Sequence, residues 1–513
     1  MSTIVTTRNG KVQGEDLSGL HVFRGIPFAA APTGARRWTA PEAPAPWSGT
    51  RDATKFGYAA PQNPVMLSAL AAMKIEQEQS EDCLFLNVWT PAVDRARRPV
   101  MVWIHGGAFT IGSGAQAIYD GSSLARRGDI VVVTINYRLG PLGFLRLADV
   151  TGGRIASTGN EGILDQIAAL TWVRDNIENF GGDPENVLIF GESAGGMSVG
   201  TLLGMPAARG LFHKAIPQSG ACHTASSVAR ANRVAERVIS RLGASASNVD
   251  SLYALTPAQL LKGALLADGV TPDPELGMAY HPVADGVVLP RKPIDMVAEG
   301  SAAGVAVMVG STLDEWKLFA VMDPGLARLD RAGLVARLSR RLDGRSEEMV
   351  SAYEAARSSR GESTSSAELF SAIESDRVFR MPGVRLAETQ GAQESRTYSY
   401  MFTWRSPAMG GILGSCHALE LGFVFGTNQL PGMSQFSGTG AVVEKIEHQM
   451  QNAWLAFARC GNPSNESIGD WPGYTEARRA TMIFGSETSA QDAPYDAERR
   501  AWDAISNNVV GAL

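Results

Sequence analysis

One short stretch already defines a chemistry. Gly191-Glu192-Ser193-Ala194-Gly195 is a G-x-S-x-G pattern. On a strand-to-helix turn, that pattern lifts a serine hydroxyl clear of its neighbours as a nucleophile. The bare pattern is common, so its context decides. VLIF (187–190) before it reads as a strand, and MSVGTLLGM (197–205) after it can start a helix. Attack by Ser193 on a carbonyl carbon puts negative charge on the carbonyl oxygen. Backbone N–H donors aimed at that oxygen are worth about 3–4 kcal/mol each. HGGAF (105–109) follows the apolar segment PVMVWI (99–104), and its small residues let the backbone close on a substrate. By this pattern Gly107 and Ala108 supply two donors, and Ala194 beside the serine supplies a third. A serine also needs a base, which an acid in turn orients. Five histidines follow Ser193: His213, His223, His281, His417 and His448. GSTLDEWKLF (310–319) comes after the apolar VAVMV (305–309) and offers two carboxylates, Asp314 and Glu315.

These residues need a scaffold, and the chain alternates strand-like and helix-like segments. PVMVWIH (99–105), IVVVTINY (130–137), VLIF, VAVMVG (305–310) and TYSYMFT (397–403) are continuous apolar runs. Runs of this kind suit a parallel sheet buried on both faces. Between two of them, Ile163, Leu164, Ile167, Leu170, Val173 and Ile177 recur at helical spacing, and Gly181-Gly182 stops the helix. Strand, helix and strand make a βαβ unit and an open α/β sheet. The first twenty residues alternate as a hairpin with Asn9-Gly10 as its turn. Residues 225–265 and 328–392 read as mainly helical, with RSSRGESTSS (357–366) as a polar surface loop. The whole reads as one large domain, 1–513, with helical insertions at roughly 225–300 and 320–395.

Composition narrows the function classes. The chain has 513 residues, 44% hydrophobic and 19% charged, with a formal net charge of −6. That balance excludes bulk disorder and argues against nucleic acid as a partner. No apolar run reaches the ~18 residues of a spanning helix. No basic and then apolar leader opens the sequence. Cys83, Cys222, Cys416 and Cys460 are scattered and form no CxxC pair. Free thiols and a cytoplasmic location are expected. Without HExxH, Walker A, GxGxxG or a Cys/His cluster, no metal or organic cofactor is expected.

The chain resembles the type-B carboxylesterases, the carboxylesterase/cholinesterase branch of the α/β-hydrolases. It is most similar to bacterial p-nitrobenzyl esterase-like members. The likeness runs nearly end to end. It rests on FRGIPFAAAPTGARRWTAPEAP (23–44), SEDCLFLNVWTP (80–91), FGGDPENVLIFGESAGG (180–196), LFHKAIPQSGA (211–221), HPVADGVVLP (281–290), HALELGFVFG (417–426) and WPGYTEARRATMIF (471–484). It implies the α/β-hydrolase fold: a large, mostly parallel twisted sheet flanked by helices, with helical insertions around the active-site gorge. It implies Ser193 as nucleophile, His417 as base and Glu315 as the triad acid. Trp316 stands where the family usually has glycine. Ser219 and Glu420 match supporting positions. Arg37 with Glu81, and Arg138 with Asp165, match structural ion pairs. Cys83 matches a family disulfide position, but the partner region AAPQNP (59–64) has no cysteine, so that bridge is absent.

The function implied is hydrolysis of small to medium carboxylic esters through an acyl-enzyme, with a small-molecule ester as the partner. Phe109, Ile111, Phe319 and Trp404 are candidate pocket walls. VMLSALAAMKIE (65–76) is a candidate apolar flap. Two alternatives are a specialised carbamate, amide or polyester-fragment hydrolase on the same triad, and a non-catalytic binding protein resembling the neuroligins. The neuroligins lack a complete triad, whereas all three triad positions are filled here. The sequence does not specify an oligomeric state.

Overall fold

The computed structural model describes residues 2–64, 71–264 and 278–511. The chain forms two compact units: Met1–Ile216 with Thr224–Val305, and Pro217–His223 with Ala306–Leu513.

The first unit carries β1 (Ser2–Thr7), β2 (Gly10–Asp16), β3 (His21–Pro27), β4 (Thr50–Asp52), β5 (Phe85–Thr90), β6 (Arg98–Ile104), β7 (Val131–Ile135) and β8 (Gly182–Glu192). Their order is β1-β2-β3-β5-β7-β6-β8, with β4 on β2. The pairs from β1 to β7 through β5 are antiparallel, while β6 runs parallel to both β7 and β8. This parallel centre is where the continuous apolar runs lie. Every residue of β7 is buried, as are Val100–Ile104 of β6. Trp103 packs on Phe190 with ring centroids 4.8 Å apart. β9 (Lys214–Gln218) and the short parallel pair β10 (Ser226–Ser227) and β11 (Val283–Ala284) follow.

The second unit carries β12 (Ala306–Thr312), β13 (Thr397–Phe402), β14 (Ala480–Phe484) and β15 (Ser489–Asp492), in that order. The first three are parallel neighbours and β15 is antiparallel. Helices cover 331–339, 346–359, 366–375 and 381–391. Leu334, Leu338, Met349, Tyr353, Leu369, Phe370 and Trp502 join them in one apolar cluster.

Three sequence expectations shift. The N-terminal hairpin pairs Thr7 with Gly10, so its two-residue loop is Arg8-Asn9 rather than Asn9-Gly10. Gly10 instead opens β2 under the Trp47 indole, where a Cβ would lie 2.4 Å from Nε1. The polar loop begins later than 357, because the helix Ser346–Ser359 takes its first three residues. The helix Glu161–Asn176 buries more than one apolar stripe. Asp165 and Gln166 are fully buried on it while Leu164 and Ile167 are half-buried. Partners explain the inversion. Arg138 grips Asp165 through Nε at 2.8 Å and Nη2 at 2.7 Å, and Gln166 Nε2 donates to Ser198 Oγ at 3.0 Å. Residues 65–70 of the candidate flap lie outside the described residues, and 71–73 form a 3₁₀ turn.

A buried carboxylate that loses its only cation is left uncompensated, which costs about 3–5 kcal/mol. Arg138→Met is therefore expected to destabilise the protein by that order. Thermal unfolding followed by circular dichroism checks it, against an exposed control such as Arg95→Met.

Candidate active site

The first unit carries Ser193, the candidate nucleophile. Ser193 sits between β8 and the helix Ala194–Leu203 with φ 59° and ψ −126°. Such a conformation is strained for a non-glycine residue and persists only when its surroundings fix it. Here the surroundings are tight backbone. A Cβ on Gly195 would lie 2.0 Å from the Ile104 carbonyl oxygen, and one on Gly191 would lie 2.6 Å from the same atom. The flanking glycines are thus demanded by the end of β6. The Ser193 carbonyl accepts from Met197 N at 2.8 Å, which starts the helix. Ala194 is its first residue and is buried.

The loop after β6 lies against this elbow. A Cβ on Gly106 would stand 3.1 Å from the Ser193 Cβ. Gly107, Ala108 and Phe109 all have positive φ, at 109°, 54° and 59°. The loop closes on itself through Thr110 N and Ile111 N, which donate to the Gly107 carbonyl at 2.9 and 3.0 Å. Gly107 and Ala108 are half-buried, whereas Phe109 is fully buried against Phe144 at 4.9 Å. Ile111 is half-buried. Sequence reasoning missed Gln62, which holds the far end of this loop. Its Oε1 accepts from Gly112 N at 2.7 Å and its Nε2 donates to Gly112 O at 3.0 Å.

The second unit carries Glu315 and His417, the candidate acid and base. Glu315 follows β12 and has no exposed surface. His417 Nδ1 donates to Glu315 Oε2 at 2.5 Å. Ser219 Oγ donates to Glu315 Oε1 at 2.5 Å, and Thr312 N donates to the same oxygen at 2.7 Å. Asp314, the other carboxylate, is engaged elsewhere. It accepts from Ser415 N at 2.9 Å and pairs with Lys317 at 3.3 Å. Trp316 has φ −70° and ψ −14°, an ordinary helical backbone that needs no glycine. Its N–H donates to Ser375 Oγ at 2.9 Å. Glu420 is fully buried and accepts from Gln218 Nε2 at 3.3 Å. Phe319 lies 5.3 Å from the His417 ring, and Phe379, absent from the sequence-level candidates, lies 4.7 Å from it. Trp404 is half-buried and donates to the Ser437 carbonyl at 2.8 Å.

The family model of the carboxylesterases matches residues 1–502. The chain belongs to the carboxylesterase family. It is 39% identical over 501 residues to para-nitrobenzyl esterase of Bacillus subtilis (strain 168), covering 97% of this chain and 98% of that one. It is 34% identical to phenmedipham hydrolase of Pseudarthrobacter oxydans, covering 94% and 95%. Among solved structures, Geobacillus stearothermophilus carboxylesterase EST55 at pH 6.2 matches with a TM-score of 0.88 and 40% identity, over 98% of this chain and all of that one. This carboxylesterase therefore has the α/β-hydrolase fold and is a serine hydrolase of carboxylic esters. Among the described residues, no helix is long and apolar enough to cross a membrane. The structural ion pairs implied by the likeness form as well, Arg37 gripping Glu81 through two contacts of 2.6 Å. None of the four cysteines forms a disulfide among the described residues.

Two further buried histidines of this carboxylesterase, His105 and His281, couple its stability to pH. His105 Nδ1 donates to Gly106 O at 2.8 Å, and burial pushes its pKa down to about 4. His281 Nδ1 accepts from Arg230 Nη1 at 2.9 Å, which puts its proton on Nε2. Burial first, and the Arg230 charge second, push it down to about 3. An unfolded histidine titrates near ~6.5. Below that pH the unfolded chain binds protons that the folded chain refuses, so stability falls as pH drops toward 4. The thermal midpoint is expected to fall from pH 7 to pH 5, and to fall less steeply in His281→Gln. Equal slopes in scanning calorimetry would contradict this.

Proposed function

We propose that Ser193, Glu315 and His417 act as a Ser-His-Glu triad in this carboxylesterase. His417 takes the proton from Ser193 Oγ as that oxygen attacks the ester carbonyl carbon. Glu315 holds the imidazole with its proton on Nδ1 and stabilises the imidazolium. The N–H groups of Gly107, Ala108 and Ala194 bind the developing oxyanion. His417 then protonates the departing alcohol, leaving an ester on Ser193. Water, deprotonated by the same histidine, releases the carboxylic acid. The observation that supports this reading most is the 2.5 Å contact of His417 Nδ1 with Glu315 Oε2. Ser219 supports the acid and Glu420 the histidine loop. Ile111, next to the Gly107 loop in the first unit, and Phe319, beside His417 in the second, are apolar, which favours uncharged esters of small to medium size.

The reading treats the chain as one α/β-hydrolase domain, working in the bacterial cytoplasm. Four cysteines, none in a disulfide among the described residues, support a reducing compartment. A second reading, a specialised carbamate or amide hydrolase on the same triad, draws support from the likeness to phenmedipham hydrolase.

The test is hydrolysis of p-nitrophenyl acetate, butyrate and octanoate by wild type and Ser193→Ala. Turnover is expected to fall from butyrate to octanoate, and Ser193→Ala to lose ~10³-fold or more. Full activity in Ser193→Ala would remove Ser193 as nucleophile. An inert wild type on all three esters would favour the specialised reading.

A further inference from the structure

Phe379 lies on an unusual piece of backbone. Asp376–Arg380 is a π-helical turn between the helices Ser366–Ser375 and Met381–Gly391. Such turns are rare and concentrate at functional sites. All five of its residues are buried. Its polar side chains are tied back into the second unit. Arg380 donates to the Asp376 carboxylate through Nε at 2.7 Å and Nη2 at 2.6 Å. The Tyr353 hydroxyl also donates to Asp376, and Trp502 Nε1 donates to that hydroxyl at 2.8 Å. Arg377 grips Glu374 through contacts of 2.8 and 2.9 Å. Ser375, just before the turn, accepts from the backbone N–H next to Glu315.

The apolar side chain so braced stands beside His417. The Phe379 ring is 4.7 Å from the imidazole at an interplanar angle of 38°, and Phe319 is 5.3 Å away at 44°. The two phenyl rings are nearly parallel, 7° apart in plane with centroids separated by 6.2 Å. Neither angle is near the 90° of an edge contact. An aromatic face within about 6 Å attracts a cation. Neutral imidazole gains little from this, and imidazolium gains more. In the triad reading, on which this inference rests, His417 is charged only as the tetrahedral species forms. An interaction that strengthens at that moment raises kcat rather than affinity.

We propose that Phe379, assisted by Phe319, is a positioning residue that fixes the His417 ring and stabilises its imidazolium form, and that the π turn exists to present it. The test compares wild type with Phe379→Leu, Phe379→Tyr and pentafluorophenylalanine at position 379. Fluorination keeps the ring's shape while reversing its charge distribution. Phe379→Leu and the fluorinated ring are each expected to lower kcat on p-nitrophenyl butyrate on the order of tenfold, with KM within about twofold. Phe379→Tyr retains kcat within about threefold. Thermal midpoints verify that each variant is folded. Wild-type kcat with the fluorinated ring would overturn the imidazolium role, and wild-type kcat in Phe379→Leu would overturn the proposal entirely. A fluorophosphonate probe, mapped by mass spectrometry, separates this from the triad reading. A label on Ser193 keeps the triad whatever Phe379 does, and a label elsewhere removes it.

Discussion

A carboxylate with no exposed surface, Glu315, ties together three segments of the second unit. Burying an ionised carboxylate is costly unless hydrogen bonds and a cation or polarised donor compensate. Three donors meet it: Ser219 Oγ, Thr312 N and His417 Nδ1. Each donor imposes a demand. Thr312 fixes where β12 must end. Ser219 takes a positive φ of 45° and donates its N–H to Gly310 O at 2.8 Å. His417 returns by its backbone N–H to the Glu315 carbonyl at 3.3 Å. His417 is therefore held at both ring and main chain by Glu315, with aromatic rings at its side.

The first unit meets its own constraint by close backbone approach. Ser193 can hold its strained conformation because glycines let β6, β8 and the following helix touch. The loop at Gly107–Phe109 holds three consecutive positive φ values, anchored by buried Phe109 beneath and Gln62 at its far end. In the triad reading, a loop held this firmly needs no reorganisation when charge develops on the substrate oxygen. His105 lies stacked on Tyr137 at 4.5 Å, and burial pushes its pKa down to about 4.

Much of this was legible in the residues, for identifiable reasons. Continuous β-branched runs marked the parallel strands, because burial on both faces leaves no room for polar alternation. Gly191 and Gly195 marked the elbow because nothing larger fits there. Asp314 and Glu315 could not be told apart by chemistry alone, since neighbours in sequence differ only in what they face. One turns to Lys317 and Ser415, the other to His417. Buried polar positions were the blind spot. Asp165 was legible only through the family likeness, as the partner of Arg138, while Gln166 and Gln62 gave no local signal because their partners are distant in sequence. Phe379 was invisible for a similar reason. Its neighbours Asp376 and Arg380 look like an exposed helical ion pair, while in the fold they brace a wide turn. The hairpin turn at Arg8-Asn9 was misplaced by one residue, because Asn-Gly is a strong turn signal and the packing of Trp47 over Gly10 is not visible in sequence.

In the triad reading, the charge of Glu315, beyond its shape, prepares His417. Glu315→Gln keeps the shape and removes the charge. The decisive measurement is kcat/KM for p-nitrophenyl butyrate in this variant at neutral pH, with the thermal midpoint recorded alongside. A fall of about 10³–10⁴-fold in a folded protein is the predicted result, by analogy with loss of the acid from other serine triads. Activity within a few-fold of wild type would show that His417 is oriented without this charge, and would contradict the account.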